Sequence, residues 1–425
     1  MKWIRRPHIS ILPLIASIGV IVAAFINNYL LPPSNQLSQY FEKTVSVSGV
    51  ISDDIEFKKD DYRIHLKTNF GLVYVMLEKL PSMSLARSDY LTVQGKIQAG
   101  FWSYVAFVYR PTVKEISHPS MPDFAVKLRD IFSESVITQI DNEEQSNLAL
   151  SYLTGQKTLL TEDQKRKLRL VGLAHVVVAS GYHLSVVVGL AKKYLGKISR
   201  FATLSGALLL LTIYISITGF TPSMARAGLM TTLSLWAWYY GRKFHPARLI
   251  LYVMAISLIL DSSYITNLAW QLSFASYSGI IFITPLLTEF LYGDKKPGYV
   301  ASLIIASISA QLFCLPFTLY YFGSFPILAL VANVLVTPAI PFAMLGTFLL
   351  GITHLPPLVF LTKQILAFQL AVINYLAAIP WASIDLGTEN PLVFLSCIPI
   401  LALLLLLKRV TRYSYRPSYA KIYAC

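Results

Sequence analysis

The sequence predicts a polytopic α-helical membrane protein of about ten transmembrane helices, with a small exported all-β, OB-like barrel near the N-terminus. Three observations carry that reading. Hydrophobic residues fill 55% of the 425 positions, charged residues only 14%, and the mean hydropathy is +0.56, a balance outside the range of soluble globular domains. After residue 170, apolar windows long enough to cross a bilayer recur with short polar links between them, the pattern of a helical bundle rather than a porin-like barrel. Between residues 41 and 116 the pattern switches to short apolar or alternating segments about ten residues apart, the period of strands.

In chain order, Lys2, Arg5 and Arg6 precede an apolar run from Ile9 to about Leu31, so the N-terminus is expected to stay cytoplasmic while the run inserts. Val22-Ala23-Ala24 also offers a weak signal-peptidase site, and either outcome exports the strand-rich segment beyond the run. Pro32 and Pro33 end this first unit, residues 1–35. Residues 36–120 form the exported barrel, with strands expected at 45–51, 62–66, 72–77, 91–97 and 104–108. Five strands in under 80 residues fit an OB-type barrel, although the number alone also fits other small barrels.

Residues 121–169 read as an exported amphipathic helical linker. Asp141 stands three residues before Glu144, and Thr161 with Gln164 makes a capping box that opens the basic turn Lys165, Arg166, Lys167, Arg169. That turn is either a solvated helix face or the basic mouth of a pore. Further spans are expected near 170–191, 201–219, 222–240, 247–261, 265–291, 299–321, 325–350, 355–379 and 391–407, all within a channel-like unit of residues 170–408. Alternating them from an inside N-terminus places Lys192, Lys193, Lys197, Arg200, Arg242, Lys243, Arg248, Lys295 and Lys296 inside, together with a basic tail, residues 409–425. Both termini are then cytoplasmic.

The formal charge of +14 suits polyanions, and basic loops beside anionic membrane lipid give the same excess. The three cysteines, Cys314, Cys397 and Cys425, form neither a CxxC pair nor a disulfide framework. There is no GxxxxGK[ST] loop, no HExxH, and no HxH pair among the seven histidines, so nucleotide hydrolysis by a P-loop and the common metal sites are not indicated and no cofactor is expected.

Polar groups nevertheless interrupt the apolar runs. His175, Ser180, Gly181 and His183 sit inside one membrane-length run, where glycine loosens the helix and serine can bond back to a carbonyl. Ionisable side chains at this depth either line a route or pack against neighbouring helices. Arg226 lies about one turn past Pro222, where it either snorkels to the interface or points inward as a phosphate contact. Gln271 and Asn333 sit beside helix breakers, as packing glue or as the wall of a wet path. Ala179-Ser180-Gly181 also has the look of a serine hydrolase centre, but no acidic partner accompanies it.

At these residues the chain resembles the ComEC competence family. The pieces occur in family order: Gly172-Leu173-Ala174-His175 with Ala179-Ser180-Gly181-Tyr182-His183, then Thr218 to Ala227, Trp270-Gln271-Leu272-Ser273-Phe274-Ala275, Ala310-Gln311-Leu312 with Leu315-Pro316, Phe322 to Pro326, and Ala332-Asn333. The barrel matches less well, with Ser88-Asp89 where the family carries Gly-Asp.

The resemblance implies an inner-membrane channel that passes single-stranded DNA into the cytoplasm during natural transformation, and it is not an enzyme. It further implies a periplasmic or surface DNA receptor and a cytoplasmic helicase-like ATPase as partners. Many family members carry a metallo-β-lactamase-like domain; no HxHxDH motif occurs here, so strand degradation is expected of a separate nuclease. In this reading His175, Ser180, Gly181, His183, Arg226, Gln271 and Asn333 line the membrane path. The exported region offers Tyr62, Arg63, Lys67, Phe70, Tyr74 and Lys96 for stacking and phosphate contacts, with Lys165 and Arg166 beyond them. The rival expectation is a small-solute or ion permease with a proton relay through His175 and His183.

Overall fold

The computed structural model describes residues 12–30, 37–52, 54–58, 61–79, 85, 87–100, 104–118, 124–174, 181–218, 222–242, 244–293, 295–385 and 397–410. His175 and Ser180 lie outside the described residues.

The first unit is a barrel of β1 (Thr44–Ile51), β2 (Glu56–Lys58), β3 (Asp61–Thr68), β4 (Gly71–Leu77), β5 (Tyr90–Ala99), β6 (Tyr104–Tyr109) and β7 (Thr112–Ser117). The strand order around it is β1-β3-β4-β6-β5, and β5 pairs back to β1, so five strands close a ring. β4 and β6 run parallel and the other pairs antiparallel. With the short β2 and the outlying β7 set aside, this is the strand order of an OB barrel. Period-two alternation drives the closure: Ile64 and Leu66, Val73, Val75 and Leu77, Leu91, Val93 and Ile97, and Ala106 and Val108 all turn inward into one core. Each expected strand is found within two residues of its expected ends, and β2 and β7 are additional. Ser88 adopts a left-handed φ of 77°, the conformation for which glycine is the usual choice at that position.

The helices are α1 (Leu12–Phe25), extended by a π-helical turn at Ile26–Leu30, α2 (Phe124–Gln139), α3 (Glu143–Thr154), α4 (Glu162–Leu170), α5 (Gly181–Leu195), α6 (Arg200–Thr218), α7 (Pro222–Tyr239), α8 (Pro246–Leu260), α9 (Leu268–Tyr292) and α10 (Tyr299–Phe322). After them come a short β8 (Ser324–Pro326), α11 (Ala329–Val336), α12 (Ile340–Ile352), α13 (Pro356–Ala377), β9 (Ser383–Asp385) and α14 (Cys397–Val410). Among the described residues five stretches, Arg200–Thr218, Leu268–Tyr292, Tyr299–Phe322, Ala329–Ile352 and Pro356–Ala377, are long and apolar enough to cross a membrane, and Pro13–Tyr29 and Pro246–Leu260 are shorter apolar helices. The 3₁₀ turn Thr337–Ala339 joins α11 to α12.

Local chemistry sets the ends. Asn267 accepts hydrogen bonds from the backbone N–H groups of Ala269 and Trp270 to start α9, and Pro246 opens α8 where its missing N–H is harmless. The capping box of Thr161 and Gln164 is formed as expected. The cap of α3 is Asn142, accepting from Gln145 N–H, rather than the Asp141 position beside it.

Residues 124–170 do not stand apart from the bundle. Val136, Leu148, Tyr152 and Leu168 share a core with Ala332, Val336, Ile340, Met344, Leu366 and Ile373 of α11–α13. Gln139 Nε2 donates to the Leu350 carbonyl at 2.7 Å, and Lys363 pairs with Asp141 at 2.9 Å. Arg129 of α2 makes a two-pronged bond to Asp54 of the barrel, both distances 3.0 Å. Arg87 donates to the Ser216 carbonyl at the end of α6. These two contacts tie the barrel to the helices.

Candidate functional site

The register of the barrel assembles a surface that no single strand displays. On β3, Arg63, His65 and Lys67 point away from the core; β4 sets Met76, Tyr74 and Leu72 opposite them, and β6 sets Tyr109, Phe107 and Tyr104 beside those. The rings form a continuous group: His65–Tyr74 centroids 5.6 Å apart, His65–Tyr104 5.5 Å, Tyr74–Tyr104 5.2 Å, Tyr74–Phe107 5.7 Å and Phe107–Tyr109 6.3 Å. Arg110 lies over the Tyr109 ring at 5.2 Å, its charge shared with Asp61 and Glu78. Arg63 and Lys67 make no ion pair among the described residues. An outward platform of planar rings edged by unneutralised cations can stack flat ligands and bind the anionic chain that carries them.

Of the residues expected on this face, Arg63, Lys67 and Tyr74 are brought together. Tyr62 instead packs against the barrel core, Phe70 is exposed in the β3–β4 turn, and Lys96 pairs with Glu42 near the β1–β5 edge. Lys165 and Arg166 pair with Glu162 and Asp163 of their own helix, and Lys167 and Arg166 together hold the Asp163 carboxyl below the usual carboxylate range. Sequence reasoning missed His65, Tyr104, Phe107 and Tyr109, although the alternation of Phe107 and Tyr109 with Ala106 and Val108 marks them as outward.

A second constellation gathers where the start of α5 and the first turns of α7 meet the second and third turns of α9. Arg226 points inward with 9% of its surface exposed. Its Nε donates to Ser273 Oγ at 2.6 Å, its Nη1 lies 3.3 Å from Met230 Sδ, and its guanidinium sits 5.4 Å from the Tyr277 ring and 6.0 Å from Phe274. No carboxylate reaches it among the described residues, so a positive charge is buried against hydroxyl, sulfur and aromatic faces alone. Gly181 is what permits the approach: a Cβ there would lie 3.1 Å from Arg226 Nη2 and 3.3 Å from Ala227 Cβ. An uncompensated buried cation beside a helix N-terminus is an arrangement suited to an anion.

The other motif pieces make contacts of their own elsewhere among the helices. His183 is fully buried, its ring 6.4 Å from that of Tyr152 on α3. Gly172, at φ 73°, packs so closely that a Cβ would lie 2.5 Å from Ala329 Cβ. Cys314 Sγ contacts the Leu272 carbonyl at 3.5 Å. Gln271 Nε2 donates to the Ile265 carbonyl and to Tyr29 Oη, tying the end of α1 to α9. Gln271 Oε1, Gln311 Nε2 and Asn333 Oδ1 are buried and find no hydrogen-bond partner among the described residues. Each such atom costs about 1–3 kcal/mol if left dry, which favours water or a polar ligand beside it. Sequence reasoning also passed over Tyr214, whose hydroxyl likewise finds no partner among the described residues, and Tyr277; the latter stands one turn beyond Ser273 and could have been found by helical spacing.

No group of three or more His, Cys, Asp or Glu suited to a metal occurs among the described residues. The competence protein family matches residues 152–411. The ComE operon protein 3 of Bacillus subtilis (strain 168) is 23% identical over 264 residues, which cover 60% of this chain and 33% of that protein. The chain therefore matches about a third of the relative's length. No solved structure matches the chain. The family match runs from the end of α3 through α14 and takes in the whole of the constellation around Arg226, and on that basis the chain belongs to the competence protein family.

Proposed function

We propose that this protein is a DNA-uptake channel of the inner membrane, with about ten spans and both termini in the cytoplasm, which passes single-stranded DNA inward during transformation. The observation that carries the reading is the aromatic platform of His65, Tyr74, Tyr104, Phe107 and Tyr109 beside Arg63 and Lys67. It suits the stacked bases and phosphates of a single strand and has no task in a permease for ions or small solutes. Membership of the competence family and the buried, unneutralised Arg226 support the same reading.

The strand is received on the barrel and fed to the site where Gly181 closes on Arg226, with His183 two residues further along the same helix. There the guanidinium holds a phosphate while Gln271 and Asn333 offer amide groups along the way. A single fixed cation suits conduction, because a phosphate must leave the site as readily as it arrives. His175 and Ser180 belong to the same path in this reading. The chain itself performs no catalysis; a receptor delivers the DNA, a helicase-like ATPase draws it in, and a separate nuclease removes the second strand.

The test is a deletion strain scored for labelled DNA in the cytoplasm, complemented with the wild-type chain. Loss of import on deletion and recovery on complementation are expected. Undiminished import in the deletion strain would end the proposal, and labelling of Ser180 by a serine-reactive probe would overturn the non-enzymatic part of it.

A further inference from the structure

At the end of α5–α7 remote from Arg226, Val188 and Ala191 of α5, Leu204 and Ala207 of α6 and Leu235 of α7 share one buried cluster. Just beyond it the last turn of α5 carries Lys192 and Lys193, the α5–α6 turn carries Lys197, α6 opens with Arg200, and the turn after α7 carries Arg242. Residues 164–260 contain twelve Lys or Arg and no Asp or Glu. None of these five cations makes an ion pair among the described residues. Exposed apolar side chains alternate with them: Ile198 is 73% exposed and Phe201 67%, Tyr194 lies under the Lys193 ammonium at 5.7 Å, and exposed Trp236 and Tyr240 stack at 6.1 Å.

A basic surface by itself attracts any polyanion. Ile198 discriminates, because it stands fully outward in the turn with Lys197 on one side and Arg200 close on the other. A nucleic acid or an acidic protein would use the cations and leave Ile198 and Phe201 in water. The edge of a bilayer uses both, with apolar side chains at the acyl boundary, aromatic rings at headgroup level and cations among the phosphates. We propose that this end of α5–α7 is a docking surface for anionic phospholipid headgroups of the phosphatidylglycerol type, seated by Lys192, Lys193, Lys197, Arg200 and Arg242. The proposal depends on the helices spanning a membrane and not on what passes through them.

A surface cation contributes roughly fivefold to affinity for an anionic lipid surface, so neutralising four should weaken lipid retention by about 10²-fold or more. The experiment is native mass spectrometry of the full chain from micelles of equal phosphatidylglycerol and phosphatidylcholine. The wild type is expected to retain phosphatidylglycerol selectively. Lys192→Gln, Lys193→Gln, Lys197→Gln and Arg200→Gln combined should lose the selectivity, whereas Lys295→Gln with Lys296→Gln should keep it. Ile198→Ser, which leaves every charge in place on an exposed turn, should weaken retention without unfolding the chain. Equal retention of both lipids by the wild type, or unchanged selectivity in the fourfold variant, would overturn the proposal. So would a single-stranded oligonucleotide whose binding, unlike that of lipid, disappears in the fourfold variant.

Discussion

Replacing Arg226 by methionine separates what the guanidinium does for the fold from what it does for transport. Removing an arginine from the interior of a membrane helix recovers about 2.5–3.5 kcal/mol on insertion scales. Against this, the charged hydrogen bond to Ser273 is worth about 1.5–3 kcal/mol and the contacts with the Tyr277 and Phe274 faces about 0.5–2 kcal/mol. The opposing contributions nearly cancel, so Arg226→Met should change stability by no more than about 2.5 kcal/mol in either direction. Transport has no such compensation. A phosphate arriving at the site loses its only cation among the described residues, and a charge-assisted bond of about 1.5–3 kcal/mol corresponds to a fall in import of roughly 10- to 100-fold. Thermal unfolding of the detergent-purified chain gives the first quantity and import of labelled DNA in a complemented deletion strain gives the second. A folded variant that imports DNA at the wild-type rate would refute the reasoning, as would destabilisation well beyond about 3 kcal/mol, the value expected of a purely structural arginine.

Gly181→Ala should leave the fold intact but displace the Arg226 guanidinium by a few tenths of an ångström, given the 3.1 Å approach, and Gly181→Leu should block import altogether; equal import by all three chains would contradict the close fit. On the barrel, Tyr109→Ala should weaken binding of a labelled single strand by about 1–3 kcal/mol, and Lys67→Gln should lower the salt slope by about 0.7, with no change in either measured by fluorescence anisotropy counting against the platform. Arg129→Ala leaves Asp54 without its partner and should destabilise the barrel–helix junction by about 3 kcal/mol, read as faster proteolysis between residues 100 and 124, whereas Arg129→Met with Asp54→Leu should restore much of the resistance.

The helices α8, α9 and α10 were legible as apolar runs whose ends Pro246, Asn267 and Gly323 punctuate, whereas the span expected at 170–191 was not found as one helix, because Gly172 turns the chain at φ 73° after α4 and α5 begins only at Gly181. The barrel strands were legible from alternation. Which of their outward residues meet was not, because alternation fixes only which side of its own strand a residue takes, whereas the platform depends on β4 lying between β3 and β6. Tyr62 shows the limit, being aromatic beside Arg63 yet turned to the other face. Arg226 was visible as an anomaly, but its inward direction depends on Ser273 and Tyr277, which approach from a different helix some 47 residues along the chain. The acidic residues that occupy Lys165 and Arg166 were present three residues upstream, at the spacing at which helical ion pairs form.

A strand crossing the membrane by this route must pass Arg226. A photoreactive side chain placed at Tyr277, against the guanidinium, and in a second chain at Phe282, exposed on the same helix, would capture labelled DNA during uptake. Crosslinked DNA is expected at position 277 and none at 282. Import that proceeds with no crosslink at 277, or with equal crosslinking at both positions, would contradict this route.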